Sequence, residues 1–299
     1  MPNPLFDALI APLAGRGTPF LILSDGSRIS GDAFFRLVAR HAGALRHLGV
    51  GPGDRVAVQV AKSPEALAIY GATLGLGAVF LPLNPAYTPQ EVGYFLSDAT
   101  PAAVICDPAG ASALRPLAGG ALVLTLAADG TGSLSDLVAG QGETLVPVDR
   151  GLGDLAALLY TSGTTGRSKG AMLTQGNLLS NAQALAGLWQ FTPRDVLLNA
   201  LPIFHTHGLF VACNITLLTG GAMIFLPGFD AEAVLRLLPQ ASVMMGVPTF
   251  YTRLLADPRL TRAAAAHIRL FVSGSAPLLA ETHAEIGRAS CRERVLLMV

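Results

Sequence analysis

Lysine is almost missing from this chain. Lys62 and Lys169 are the only two among 299 residues, and arginine supplies the rest of the positive charge. Charged residues of both signs amount to only 13%, and twenty basic residues cancel twenty acidic ones. No basic stripe is available to neutralise a nucleic-acid backbone, and no acidic block forms a solvating tail. Cysteine is equally scarce. Cys106, Cys213 and Cys291 lack the spacing of a disulfide framework or a metal site, which fits a reducing, cytoplasmic setting. Uninterrupted hydrophobic runs are wanting too, since a membrane-spanning helix needs about 20 predominantly apolar residues. Residues 66–83 are broken by Gly71, Gly75, Gly77 and Pro82, and residues 196–229 carry His205, His207, Asn214 and several glycines. The opening MPNPLFDALIAP has no basic segment followed by an apolar core, so no secretory signal is expected.

What the chain does have is a 51% hydrophobic content divided into strand-sized and helix-sized pieces. Residues 20–23 and 27–29 predict a hairpin around the turn dipeptide Asp25-Gly26. Apolar side chains at helical spacing (Phe34, Leu37, Val38, Ala42, Leu45) predict a helix over 31–48. Strands are then expected at 55–60, 78–81, 102–106 and 121–125. Between them lie a helix opened by Ser63-Pro64 and one opened by the capping box Thr88-Pro89-Gln90-Glu91. Residues 131–150 are weakly patterned and read as a linker or edge segment. Further strands are expected at 155–160, 196–201, 222–226, 242–245 and 268–273, with helices capped by Thr174 and Asp230. This alternation predicts an α/β fold of largely parallel sheets covered on both faces. No internal sequence repeat is evident.

The most informative stretch is LAALLYTSGTTGRSKGAML, residues 155–173. An apolar strand ends in Thr161, Ser162, Gly163, Thr164, Thr165, Gly166, Arg167, Ser168, Lys169 and Gly170. A short apolar run, 171–173, then leads toward a helical pattern. Glycines let successive N–H groups turn inward, and with hydroxyls and two cations they make a donor-rich concavity suited to a polyphosphate. The order differs from a Walker loop, because Ser168 precedes Lys169 and Gly170 follows it. A plain Gly/Ser/Thr hairpin turn has the same composition. The ordered string Tyr-Thr-Ser-Gly-Thr-Thr-Gly-x-Ser-Lys-Gly, however, resembles the phosphate loop of the adenylate-forming superfamily, which includes acyl-CoA synthetases, luciferases and peptide-synthetase adenylation domains.

Three later strings resemble motifs of the same superfamily, in the same order. LPIFHTHGL, residues 201–209, resembles its next motif, and the resemblance implies that His205 gates the acyl and nucleotide sites. His207 receives no role from it, and two histidines at i and i+2 without a third ligand make a poor zinc site. SGSAPL, residues 273–278, resembles the adenine-contacting turn, which implies that Gly274, Ser275, Ala276 and Pro277 face the base. GVPTFYTR, residues 246–253, places Arg253 one helical turn after Thr249 and Phe250. Arg253 is either a solvated helix residue or a bidentate clamp for a carboxylate. LNPAYTPQEV (83–92), the FHTHG run and VPTFYTR read like the malonyl-CoA synthetase branch, which uses an arginine at the place of Arg253.

The resemblance therefore implies two stacked α/β subdomains of the superfamily's large N-terminal domain. It implies MgATP and coenzyme A as co-substrates, and Thr161, Ser162, Gly163, Thr164, Thr165, Gly166 and Lys169 holding the phosphates. A short- or medium-chain acyl-CoA synthetase and an inactive nucleotide-binding fragment remain the alternatives. No nucleic acid or membrane partner is expected. The superfamily's Tyr-Gly-x-Thr-Glu motif and its C-terminal lid domain with the catalytic lysine are not found, so residues 1–284 are expected to be an incomplete AMP-binding domain. Residues 285–299 depart from the pattern, resemble a translated sequencing adaptor, and are expected to be an aberrant tail.

Overall fold

The computed structural model describes residues 2–161, 168–290 and 295–297. The chain divides into two compact units, Met1–Arg16 with Asp32–Asn181, and Gly17–Gly31 with Ala182–Val299.

In chain order, helix α1 (Pro4–Leu9) is capped by Asn3, whose side chain accepts from the Phe6 amide. The hairpin β1 (Pro19–Ile22) and β2 (Arg28–Ser30) turns at Asp25-Gly26, as its dipeptide predicts. Helix α2 (Gly31–His47) leads to β3 (Arg55–Gln59). Helix α3 (Pro64–Gly75) starts where the Ser63 hydroxyl accepts from Ala66, and β4 (Val79–Pro82) follows. Helix α4 (Pro89–Ala99) opens on the reciprocal Thr88–Glu91 capping box. Next come β5 (Ala103–Cys106), α5 (Ala111–Leu114), β6 (Leu122–Thr125) and α6 (Ser133–Ala139). The hairpin β7 (Leu155–Thr161) and β8 (Lys169–Thr174) precedes α7 (Gln175–Leu188) and β9 (Val196–Asn199). A π-helix, His207–Cys213, runs into α8 (Asn214–Thr219). The rest is β10 (Ala222–Phe225), α9 (Ala231–Leu237), β11 (Val243–Gly246), α10 (Pro248–Leu255), β12 (Leu270–Ser273), α11 (Ala280–Ser290) and β13 (Val295–Leu297).

One expectation changes. Residues 131–150 are not all linker, because α6 forms there with Leu134 and Val138 buried. The run 171–173 lies in a strand that pairs antiparallel with β7 from Leu155–Thr174 to Thr161–Lys169 and leads into α7. Helix α11 spans position 284.

The first unit holds a sheet in the order β6-β5-β3-β4-β7-β8, parallel except for β8. The second holds β13-β12-β11-β9-β10-β1-β2, parallel except for β2. Strands β4, β5, β11 and β12 are buried throughout, as a sheet covered on both faces requires. Helix α3 is buried from Ala66 to Gly75, and its one charge, Glu65, stands in the first turn ahead of that stretch. Among the described residues no helix is long and apolar enough to cross a membrane.

In each unit, helices pack against the unit's own sheet. In the first unit Val92, Phe95 and Leu96 of α4 pack with Ala57, Leu81 and Val104. In the second, Val234 and Leu237 of α9 and Leu254 of α10 pack with Leu198, Ile224 and Met244. In both sheets the chain moves one strand outward and then returns across its starting strand. The reversals lie between β3 and β5 and between β9 and β11. Open α/β sheets bind ligands beyond the carboxyl ends of strands at such points.

Candidate active site

In the first unit, Thr161 and Lys169 form the last pair of the β7–β8 ladder and both are exposed. The glycine-rich segment is thus carried on an antiparallel hairpin at the carboxyl end of β7. Ser162, Gly163, Thr164, Thr165 and Gly166 lie outside the described residues. At the β3/β5 reversal a crevice of about 370 Å³ opens, lined by Gln59, Tyr87 and Asp107 among others. The Gln59 side-chain amide donates to the Asn84 and Tyr87 carbonyls and so shapes one wall.

In the second unit the β9/β11 reversal carries the histidine motif. The Asn199 side chain accepts from the Leu201 amide and turns the chain out of β9. Gly208 then presses against this turn, where a Cβ would stand 2.0 Å from the Pro202 carbonyl oxygen. Only glycine fits. The π-helix begins at this point, and such wide turns are rare and recur at functional sites.

The two histidines part company. His205 is exposed with its ring 4.6 Å from that of Phe204, and partial desolvation lowers its pKa. His207 is 4% exposed. Its Nδ1 lies 3.4 Å from the Ser275 hydroxyl, while its buried Nε2 has no hydrogen-bond partner among the described residues. Burial pushes its pKa down to about 4, so the ring is neutral at physiological pH. The contact ties the histidine motif to the 273–278 turn, a link that no spacing in the sequence announces.

That turn also holds a surprise. The left-handed residue is Ser275, at φ 68°, rather than a glycine. Gly274 is buried, with its amide donating to the Gly246 carbonyl, while Ser275, Ala276 and Pro277 are exposed. The Ser273 hydroxyl is buried without a hydrogen-bond partner among the described residues. Non-glycine residues in this region carry strain and cluster at functional sites.

On α10, Tyr251 is core, its hydroxyl donating to the Val272 carbonyl at 2.6 Å. Phe250 stacks on Phe229 with centroids 4.0 Å apart. The exposed Arg253 guanidinium lies over the Phe229 ring at 4.8 Å and makes no ion pair with any described residue. An aromatic platform steadies the cation and leaves N–H groups available to an oxyanion.

The AMP-binding enzyme family matches residues 14–297 of this sequence. The chain belongs to that family. It is 38% identical over 259 residues to the feruloyl-CoA synthase of an Amycolatopsis species, covering 86% of this chain and 51% of that protein. It is 33% identical over 233 residues to the mitochondrial malonate–CoA ligase ACSF3 of Xenopus laevis, covering 75% of this chain and 37% of that protein. The ATP-bound crystal structure of MatB from Rhodopseudomonas palustris superimposes with a TM-score of 0.96 at 50% identity, covering all of this chain and 60% of that one. The chain thus spans about half the length of the first of these relatives.

Proposed function

We propose that this chain comes from an ATP-dependent acid–CoA ligase whose acid is malonate. The acid carboxylate attacks the α-phosphorus of MgATP, the bond to pyrophosphate breaks, and an acyl-adenylate forms. The coenzyme A thiol then attacks the acyl carbon, and AMP leaves. Charge builds on phosphate oxygens in the first step, so preorganised donors supply the catalysis. Thr161, Ser162, Gly163, Thr164, Thr165, Gly166 and Lys169 hold the β- and γ-phosphates, and Mg²⁺ enters with them on phosphate oxygens. Gly274, Ser275, Ala276 and Pro277 face the adenine. His205 gates the passage between acid and nucleotide.

Arg253 carries the malonate reading. A small dicarboxylate needs its spare carboxylate neutralised while the other reacts, and an arginine steadied on Phe229 with available N–H groups suits that task. Two similarities support the reading: the frog malonate–CoA ligase and the MatB structure. The feruloyl-CoA synthase matches the same chain with a different acid. The exposure of Arg253 favours the second reading, a short- or medium-chain acyl-CoA synthetase in which this side chain faces water.

Pyrophosphate release with malonate, methylmalonate, acetate and octanoate separates them, measured on the gene recovered over its relatives' length beside the 299-residue chain. Malonate-dependent release is expected. Arg253→Ala is expected to lower kcat/KM for malonate at least tenfold, roughly the worth of one charge-assisted bond, and to spare acetate. An unchanged acid preference moves the assignment to the monocarboxylate reading.

A further inference from the structure

The stem of the glycine-rich hairpin is gripped from the side by α4. The Tyr94 hydroxyl donates to the carbonyl of Ser168, the residue just before Lys169. One turn along, the Asp98 carboxylate accepts from the hydroxyl of Tyr160, the residue just before Thr161. Tyr94 and Asp98 are four residues apart, so they share a helix face. Each grip therefore falls beside the Thr161–Lys169 pair that closes the hairpin, one on each strand. Between them the rings interlock: Phe95 and Tyr160 have centroids 4.5 Å apart, Tyr94 and Phe95 5.6 Å, and Tyr87 and Phe95 5.2 Å.

Two features mark this as more than packing. Among the described residues, strand β8 is the last of its sheet, with β7 its only ladder partner, so the sheet alone steers the hairpin poorly. Second, the polar grips are exposed, Tyr94 at 38% and Asp98 on the surface. Water competes for hydrogen bonds and charges at such sites, so they add little to stability. What they do fix is direction. The Tyr160 hydroxyl remains protonated throughout the physiological range, because burial and the Asp98 carboxylate both raise its pKa.

We propose that Tyr94, Asp98 and Tyr160 are positioning residues for the nucleotide, holding the Thr161–Lys169 end of the hairpin in one direction. The proposal rests on the reading of the glycine-rich segment as a phosphate loop. A hairpin end that is already held in place lowers the ordering cost of binding, so loss of the grips weakens nucleotide binding and leaves the acid site alone.

The test uses the enzyme over its relatives' length, with MgATP binding followed by calorimetry and KM determined separately for ATP and acid. Tyr94→Phe and Tyr160→Phe keep the rings and remove one hydroxyl each. Each is expected to raise the Kd and KM for ATP about fivefold, the worth of one net hydrogen bond, with acid KM and the unfolding midpoint unchanged. Asp98→Asn retains an acceptor and is expected to bind ATP better than Asp98→Ala. Lys169→Ala is the control for the loop itself. If Lys169→Ala leaves ATP binding intact, the phosphate-loop reading fails. If Lys169→Ala weakens binding while the tyrosine variants do not, the positioning role is overturned. A lower midpoint with both KM values raised equally also overturns it, in favour of a purely structural brace.

Discussion

The two units are built on one plan. The first orders its strands β6-β5-β3-β4-β7-β8 and the second β12-β11-β9-β10-β1-β2, with β13 added beyond β12. In each, four parallel strands reverse at the same point, and a further parallel strand begins an antiparallel hairpin at the edge. The chemistry is distributed differently. The first unit puts its donor-rich segment on the edge hairpin, where the second has only the Asp25-Gly26 turn. The second unit puts its polar groups, His207 and Ser273, at the reversal, where the first has a crevice walled by Gln59 and Asp107. One frame offers two places for chemistry, the hairpin tip and the reversal, and each unit elaborates one of them.

The amino edges of the sheets also differ, and the largest expected effect is there. In the second unit Asp195, 4% exposed, takes both arms of Arg269, with Nε–Oδ1 at 2.7 Å and a second bond at 2.7 Å to Oδ2. Arg269 also donates to the Trp189 and Gln190 carbonyls, and the Ser242 hydroxyl donates to Asp195, joining the entries to β9, β11 and β12. In the first unit Arg55 at the start of β3 donates instead to the Ala99 and Thr100 carbonyls, without a buried carboxylate. Breaking a buried pair by removing one partner costs about 3–5 kcal/mol, whereas loss of a charge-assisted hydrogen bond to a carbonyl costs about 1.5–3 kcal/mol. Urea unfolding of Arg269→Ala and Arg55→Ala is expected to show that order. Equal losses would mean that the Asp195 pair is not desolvated in solution.

Acid separates the units more gently. Each contains a buried neutral histidine, His41 with Nδ1 donating to the Leu37 carbonyl, and His207 with its weak Ser275 contact. Burial lowers both pKa values, that of His207 to about 4. Unfolded histidine titrates near 6.5. The unfolded chain therefore binds more protons, and stability falls as pH drops from about 6.5 toward 4. Burial pushes Asp195 up, but Arg269, Ser242 and Thr192 outweigh it and hold the carboxyl below the usual range, so its loss comes at still lower pH. His207→Phe is expected to flatten the upper slope by up to about 3 kcal/mol, read from urea midpoints between pH 7 and 4. A slope unchanged in that variant assigns the acid sensitivity to His41 and the first unit.

Much of the fold was legible because local signals agreed. Ser63-Pro64, the Thr88–Glu91 box and Asp230 mark helix starts that the structure keeps. The repeat was not legible, for a topological reason. The second unit's hairpin, β1–β2, lies in sequence before every strand of the first unit's sheet, so no fixed period relates the halves. Candidate residues stood out where their own chemistry announced them, as with Lys169 and Arg253. The contacts did not: the His207–Ser275 pair and the grip of α4 on the hairpin join residues far apart in the chain, and no glycine marks the left-handed backbone of Ser275.

That last feature gives the smallest and most discriminating comparison. Thr100 in the first unit and Ser275 in the second both hold positive φ, 42° and 68°, with side chains that resist it. Thr100 ends α4 in a helix cap where glycine is the preferred residue, and Arg55 secures both its carbonyl and its hydroxyl. Ser275 stands in the turn proposed to face adenine, with its hydroxyl toward His207. Glycine at either position relieves strain of about 1 kcal/mol but forfeits a hydrogen bond and loosens the unfolded chain, so each variant is expected to shift stability by less than about 1 kcal/mol. Their effects on nucleotide binding should diverge. Ser275→Gly leaves the turn free to leave its left-handed conformation and is expected to weaken ATP binding, whereas Thr100→Gly is expected to leave it unchanged. Ser275→Ala completes the set: it keeps the strain and removes only the hydroxyl. Binding equal to Ser275→Gly would show that the contact with His207 matters, and binding equal to the parent would show that the backbone conformation does.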